Sequence, residues 1–505
     1  MSRTKNSLKN VKFALIFQAA SILVAFLTRK VFVMTLSKEY LGLDGTFANI
    51  LTMLSLAELG AGSAITFSLY KPLAEDDRGQ VTALMALYRK VYWAIGIVVA
   101  VLGCTLVPFL SVLIHDLPDI PYIRVIYLLF VLNTVLSYFY VYKQSLIMAD
   151  QKQYIVTYYR YGLKMLMLLA QAAFLWVTRN YFVYLGLQIG TTLLENLLLS
   201  RKANQLYPYL HTTQAEPIRP EVKDKILKNI RALMVHKLGG AVVFGTDNLL
   251  ISFFEGVVAV GLYSNYLLVT NGLKSVYSLV YRSLTASVGH LAATENPDHA
   301  VRVFYRVDFF GRWLYGFSAI CLMILFNPFI ALWVGEDYLF SPWIVLLIVM
   351  NFYVTGMRQA TLTFRDAYGL YWYDRHKPIF ESIINLVVSV ALAKPLGVAG
   401  IFIGTFISTM TTCFWIEPLV LFRHGFHVSV KPYFRNYLIS TVLTMAAGVV
   451  TWKVCGLLPS VGLLAFCGKV LICALLPNAL FALCYCGREE FWYFLSLGKK
   501  LLMRS

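Results

Sequence analysis

Ionisable side chains lie inside long apolar segments of this chain, on helix faces that are otherwise polar. A charged residue near the centre of a bilayer costs about 2.5–3.5 kcal/mol on insertion scales, so such residues usually face a protein interior or an aqueous cavity. Four such faces, two from each half of the chain, predict one water-filled cavity. They consist of Gln18, Ser21, Ala25 and Arg29; of Thr52, Ser55, Glu58, Gly62 and Thr66; of Asn271, Ser275, Ser278, Arg282 and Thr285; and of Asn351, Thr355, Arg358, Thr361 and Arg365.

The charges of this predicted cavity are mainly positive, which favours an anionic cargo. The candidate cargo-binding residues are Arg29, Arg282 and Arg358, with Lys30 as a further contributor. Guanidinium groups pair bidentately with phosphate and keep their charge in low dielectric. The candidate acids are Glu58 and Asp247, and each either binds a coupling Na⁺ or H⁺ or holds an ion pair. Arg29 has a second interpretation, as a side chain that extends to the headgroups.

The elements that position these residues are apolar runs of about 20 residues, the length needed to cross a bilayer as a helix. The composition, 59% hydrophobic and 14% charged with a mean hydropathy of +0.67, agrees with a membrane protein. The runs predict an all-α polytopic protein with about fourteen transmembrane helices. We place them at 12–35, 43–69, 91–113, 124–148, 154–177, 181–199, 233–254, 257–288, 304–327, 342–364, 378–393, 398–421, 433–455 and 463–485.

The distribution of Lys and Arg between loops predicts the orientation. Both termini, the 70–90 loop, the 200–231 segment and the loops near 365–377 and 423–435 are basic and fall on one side. The opposite loops hold only Lys38, Arg179 and Lys394. By the positive-inside rule, both termini are cytoplasmic in a multi-pass protein of the cytoplasmic membrane. The net charge of +18 then reflects topology and attraction to anionic membrane lipids, with no nucleic-acid partner.

The polar segment 201–231 divides the chain into two predicted lobes. Residues 1–200 form an N-terminal lobe of six spans, 232–425 a C-terminal lobe of six, and 426–505 two extra spans and a cytoplasmic tail. A weak repeat at an offset of about 219 residues relates Leu41-Gly42-Leu43 to Val260-Gly261-Leu262. Six spans per unit give both copies the same orientation, the parallel repeat of many secondary transporters.

Motifs for catalysis are missing from the sequence. No GxxxxGK[ST] loop, Ser–His–Asp set or metal-ligand spacing occurs, and the eight Cys lie in or beside predicted spans. The sequence therefore predicts a protein that is not an enzyme and holds no cofactor or metal. A membrane glycosyltransferase or polymerase would need larger outer loops than those found.

Three runs resemble a known family. YLGLDGTFANILTMLSLAELGAGSAITFSLYKPLAEDD (Tyr40–Asp77), GTDNLLISFFEGVVAVGLYSNY (Gly245–Tyr266) and GMRQATLTFRDAYGLYWYDRHKPIFESIINL (Gly356–Leu386) are similar to polysaccharide (Wzx-type) flippases of the multidrug/oligosaccharidyl-lipid/polysaccharide exporter (MOP) superfamily. The resemblance implies two lobes that alternate access. It also implies that a prenyl-diphosphate-linked oligosaccharide moves from the inner to the outer leaflet for cell-surface polysaccharide synthesis, alongside a polymerase and glycosyltransferases.

Two related functions stay open. A flippase for the peptidoglycan lipid precursor would handle almost the same chemistry. A cation-coupled multidrug antiporter of the same superfamily would have a cavity dominated by carboxylates and aromatic rings, and fewer spans.

Overall fold

The protein is described here by a computed structural model that covers residues 3–58, 61–115, 117–150, 152–212, 246–281, 297–459 and 462–502. The regular secondary structure of these residues is all helical. Within these described ranges, twelve segments are long and apolar enough to cross a membrane. The predicted all-α polytopic class is confirmed, whereas the predicted count of about fourteen spans is not.

The first of two compact units comprises Met1–Ser264. Its long helices pack in neighbouring pairs: 3–35 packs with 153–178, 78–106 with 123–149, and 123–149 with 181–206. The helices are α1 (Arg3–Thr35), α2 (Lys38–Leu54), α3 (Ala61–Ala74), α4 (Arg78–Leu106), α5 (Leu110–Leu113), α6 (Ile123–Ala149), α7 (Gln153–Thr178), α8 (Tyr181–Leu206), α9 (Tyr209–Thr212) and the first part of α10 (Thr246–Tyr281).

The predicted span 43–69 is divided in the structure. Helix α2 ends at Leu54, a 3₁₀ turn covers Ser55–Glu58, and α3 begins at Ala61. The Ser55 hydroxyl donates a hydrogen bond to the carbonyl of Thr52 at 2.5 Å, and this side-chain competition for a backbone acceptor accompanies the tightened turn. Each piece alone is shorter than a membrane span, which removes this segment from the twelve.

The predicted spans 233–254 and 257–288 meet within α10. Residues 233–245 and 282–288 lie outside the described residues. Gly256 has φ +79°, a left-handed conformation that a right-handed helix does not contain and that glycine adopts without steric cost. The interruption falls at the residues where the sequence places the junction.

The second unit comprises Asn265–Ser505. Its last helices pack on the long helix Pro297–Trp333 through a core that includes Phe309, Ile320, Ala447 and Phe481. The predicted lobe boundaries stay predictions, because most of the 201–231 segment lies outside the described residues. After α10, the helices are α11 (Pro297–Trp333), α12 (Pro342–Met357), α13 (Gln359–Ala367), α14 (Lys377–Leu396), α15 (Val398–Thr411), α16 (Cys413–Val420), α17 (Lys431–Cys455), α18 (Leu463–Tyr485) and α19 (Glu489–Leu502).

Candidate functional site

A polar cavity of about 750 Å³ lies within the first unit. Its walls come from α3, α4, α6, α7 and α8 and from the 3₁₀ turn that divides α2 from α3. Tyrosines, amides, hydroxyls and three charged groups line most of it. These side chains are Tyr70, Tyr88, Tyr92 and Tyr138; Gln144 and Asn196; Thr66, Ser137, Ser145 and Thr192; and Glu58, Arg160 and Glu195.

One wall of the cavity is organised around Glu58. The Tyr92 hydroxyl donates a hydrogen bond to Glu58 Oε1 at 2.6 Å. Tyr88 packs edge-on against Tyr92 and donates to the carbonyl of Gly62 at 2.9 Å. The Tyr92 hydroxyl occupies the space where a Cβ on Gly62 would lie, so a larger residue there would displace it. The broken second span thus presents a carboxylate to the cavity beside two tyrosines.

A second part of the lining is a chain of hydrogen bonds that ends on a guanidinium group. Arg160 donates from Nε to Glu195 Oε1 at 3.1 Å and from Nη2 to Gln144 Oε1 at 2.8 Å. Gln144 donates to Asn196 Oδ1 at 3.0 Å, and Asn196 donates to the carbonyl of Leu136 at 3.1 Å. This chain fixes the amides in position, while the Arg160 side chain remains 51% exposed.

The charge of this cavity differs from the charge predicted for the cargo passage. Two carboxylates and one guanidinium line it, so its formal charge is negative. Of the predicted site residues, Glu58 lines it, while Arg29, Lys30, Asp247 and Arg358 do not. Tyr88, Tyr92 and Asn196 line the cavity and were not predicted from the sequence. The i, i+4 spacing of Tyr88 and Tyr92 on α4 is the signal that places both hydroxyls on one helix face.

Arg29 belongs to a separate polar cluster of the first unit. Its Nη1 donates to Ser264 Oγ at 3.1 Å, and it interacts electrostatically with Asp44 of α2. The Tyr181 hydroxyl donates to Asp44 at 3.3 Å. Lys30, the next residue, is exposed. The predicted role of Arg29 in cargo binding stays a prediction.

Asp247 of α10 is half-buried and interacts electrostatically with the half-buried Tyr263. Arg282 lies outside the described residues, so the predicted convergence of Arg29, Arg282 and Arg358 stays a prediction.

Arg358 occupies the break between α12 and α13 in the second unit and is paired there. It donates from Nε and Nη2 to the two carboxylate oxygens of Glu417, at 2.9 and 2.6 Å. Lys377 binds the same carboxylate and lies 3.6 Å from Asp374, which also binds Arg365 at 2.6 Å. The Glu417 side chain is fully buried. This network joins α13, α14 and α16 around one carboxylate.

The fold of this chain is similar to the folds of several solved transporter structures. A solved structure of the lipid II flippase MurJ in an inward closed conformation has a TM-score of 0.65 at 13% identity, covering 94% of this chain and 99% of that one. A structure of the Vibrio cholerae MATE transporter VcmN has a TM-score of 0.60 at 12% identity, and the match covers 85% of this chain and 99% of that one. An inward-facing multidrug resistance MATE transporter of the MOP superfamily has a TM-score of 0.59 at 13% identity, and the match covers 81% of this chain and 98% of that one.

At this identity the likeness shows the fold. No protein-family model matches the chain, and no curated protein matches it in sequence.

Proposed function

We propose that this protein is a flippase that moves a prenyl-diphosphate-linked oligosaccharide from the inner to the outer leaflet of the cytoplasmic membrane. The observation that carries the proposal is the cavity of about 750 Å³ and its lining. Hydroxyl and amide groups held by Tyr88, Gln144 and Asn196 match the donors and acceptors of sugar hydroxyls, which a purely apolar cavity could not satisfy.

The extent of the structural likeness supports a lipid-linked cargo. The lipid II flippase structure covers 94% of this chain, whereas the two multidrug transporters cover 85% and 81%. The larger coverage agrees with a chain that has helices beyond the shared multidrug core. A prenyl tail needs a lateral apolar surface, and the lipid-facing side chains of α17 and α18, such as Val442, Met445, Leu464 and Leu471, are exposed.

In the proposed cycle, the saccharide enters the polar interior while the prenyl tail stays in lipid. Arg29, Arg282, Arg358 and Lys30 attract the diphosphate. Glu58 and Asp247 fix neighbouring cations or bind the Na⁺ or H⁺ that resets the cycle. The termini face the cytoplasm. Glycosyltransferases on the cytoplasmic side supply the cargo, and a polymerase receives it after its transfer to the outer leaflet.

Reconstitution tests this function directly. The full-length protein in proteoliposomes should transfer a fluorescent prenyl-diphosphate disaccharide between leaflets, measured by its accessibility to an external quencher. A protein-free vesicle and the uncharged prenyl alcohol are the controls. Transfer no faster than in protein-free vesicles would contradict the proposal.

A second candidate function is a cation-coupled multidrug antiporter. The negative formal charge of the cavity and its four tyrosines favour an organic cation. In the same vesicles, an antiporter would accumulate a fluorescent organic cation when an ion gradient is imposed and would leave the prenyl-diphosphate disaccharide in its leaflet.

The third candidate is a flippase for the peptidoglycan lipid precursor, favoured by the likeness to the MurJ fold. Depletion of the protein in its host distinguishes it from the main proposal. Survival with lipid-linked surface oligosaccharides trapped in the inner leaflet supports our proposal, and lysis with trapped peptidoglycan precursor supports the alternative.

A further inference from the structure

A partly buried lysine lies beside the cavity without a carboxylate partner. Lys143 of α6 donates from Nζ to Ser200 Oγ at 2.8 Å and to Asn204 Oδ1 at 2.9 Å, both on α8. A neutral hydroxyl and an amide orient the ammonium group, and neither supplies a negative charge. Among the described residues, no aspartate or glutamate forms an ion pair with it.

A second cation lies on the neighbouring helix α4. Arg89 of α4 is exposed and interacts electrostatically with Lys143 and with the ring hydroxyl of Tyr142. Helix α6 packs against both α4 and α8, which brings the two cations to one group of helices. Among the described residues, Arg89 also has no carboxylate partner. Two like charges held together in this way repel one another unless an anion lies between them.

The chemistry of these groups fits a phosphate. Arginine supplies a planar fork of N–H donors, lysine a compact positive charge, and the serine hydroxyl a further donor, the combination found around phosphate oxygens. Ser200, which accepts a hydrogen bond from Lys143, lies one helical turn from Asn196 on the same face of α8, and Asn196 lines the cavity. Lys143 is therefore placed where a phosphate attached to a cavity-bound saccharide can reach.

We propose that Arg89 and Lys143, with Ser200 and Asn204, form a binding site for a lipid-borne phosphate or diphosphate beside the cavity. The diphosphate as its source rests on the proposed function. The loop charges place this end of α6 on the cytoplasmic side, where such a lipid is made. The site thus captures the charged headgroup before the saccharide is transferred.

Binding by the purified full-length protein in a neutral detergent tests the site. The probes are farnesyl diphosphate and a short-chain phosphatidylglycerol, with farnesol as the uncharged reference. Arg89→Gln and Lys143→Gln should each weaken farnesyl diphosphate binding at least ten-fold and leave farnesol binding unchanged. Lys143→Arg, which keeps the charge, should restore most of the affinity.

The matched control is Lys90→Gln, which removes an exposed charge from the residue next to Arg89. Wild-type affinity in both glutamine variants, or an equal loss in Lys90→Gln, overturns the site. If the glutamine variants lose affinity for phosphatidylglycerol but keep their affinity for farnesyl diphosphate, the diphosphate assignment is overturned, because that result identifies a membrane phospholipid as the ligand. An unfolding temperature equal to that of wild type shows that a variant has lost the site and is not misfolded. Arg89→Gln changes an exposed side chain, so it tests the site without disturbing buried packing.

The outcomes for the site and for the proposed function are distinguishable. A protein that binds farnesyl diphosphate through these residues and yet fails to transfer the prenyl-diphosphate disaccharide contradicts the flippase function and leaves the phosphate site intact. A protein that transfers the disaccharide equally well in wild type and in both glutamine variants, with unchanged binding, contradicts the site alone.

Discussion

Glu58 and Glu417 are both carboxylates within the predicted membrane region, and their surroundings differ. Glu58 is half-buried, borders a cavity and accepts a hydrogen bond from Tyr92. Glu417 is fully buried and surrounded by Arg358 and Lys377. The first carboxylate borders a cavity, and the second is enclosed by cationic partners within the protein. Substitution of each should therefore have a different consequence.

Glu58→Gln should reduce transport at least ten-fold while the protein stays folded. The amide keeps the shape and the hydrogen bond from Tyr92 but removes the negative charge that either binds the coupling cation or holds a cationic neighbour. The measurement is leaflet transfer in proteoliposomes together with the unfolding temperature in detergent. Glu75→Gln is the control, since Glu75 is exposed and forms only a 3.8 Å pair with Lys71. Wild-type transport by Glu58→Gln would remove this carboxylate from the mechanism.

Glu417→Gln should destabilise the second unit by about 3–5 kcal/mol, because it leaves the buried charges of Arg358 and Lys377 without their common partner. Thermal unfolding of the purified protein measures the loss. Glu489→Gln is the matched control, since the Glu489 side chain is 76% exposed. Its pair with Arg306 should contribute no more than about 1 kcal/mol. An unfolding temperature equal to that of wild type would show that the network does not hold the helices together.

At the residue scale, the sequence identified the charges and could not identify their partners. Arg358 was predicted from its polar helix face, yet Glu417, which binds it, follows 59 residues later on another helix. Helical periodicity relates residues on one helix and contains no information about which helix lies opposite. Glu195 of α8 was missed as a cavity residue for the same reason, since it pairs with Arg160 of α7 only after the helices pack.

At the element scale, two glycines bring α2 and α10 into close contact within the first unit. A Cβ on Gly42 would collide with the backbone carbonyl of Val257, and a Cβ on Gly261 would lie 3.0 Å from the carbonyl oxygen of Lys38. These are the glycines that the weak sequence repeat relates to one another. Small residues permit such close backbone approach between membrane helices.

Gly42→Ala should lower stability by about 1–3 kcal/mol, because a backbone carbonyl cannot rotate away as a side chain can and the two helices must separate. The unfolding temperature in detergent measures this effect. Gly186→Ala is the control, since a Cβ on Gly186 of α8 meets no atom within 4 Å and alanine favours a helix. If Gly42→Ala is as stable as Gly186→Ala, the close approach of α2 and α10 is wrong.

Hydropathy predicted straight spans well and interrupted spans poorly. The last predicted span, 463–485, has the bounds of α18, and the predicted span 433–455 matches α17 to within two residues. The second span failed because a window average registers the apolarity of 43–69 and ignores the 3₁₀ turn at Ser55–Glu58. This interruption is also what directs Glu58 into the cavity, so the local failure falls on a candidate functional residue.

At the scale of the whole molecule, the direction of the proposed transport depends on the orientation of the chain. The basic termini and the basic 70–90 loop predict that both ends of the protein are cytoplasmic, whereas the loop between α5 and α6 has no lysine or arginine before Arg124. The phosphate site proposed at Arg89 and Lys143 would then face the compartment in which prenyl-diphosphate saccharides are made.

Reporter fusions test this orientation. A fluorescent protein fused to either terminus should fluoresce, and alkaline phosphatase fused there should be inactive, because that enzyme folds only outside the cytoplasm. Alkaline phosphatase inserted after Ile120, between α5 and α6, should be active. The reverse pattern would contradict the positive-inside prediction. It would also place Arg89 and Lys143 toward the outer leaflet, where a phosphate site releases a translocated headgroup instead of capturing one from the cytoplasm.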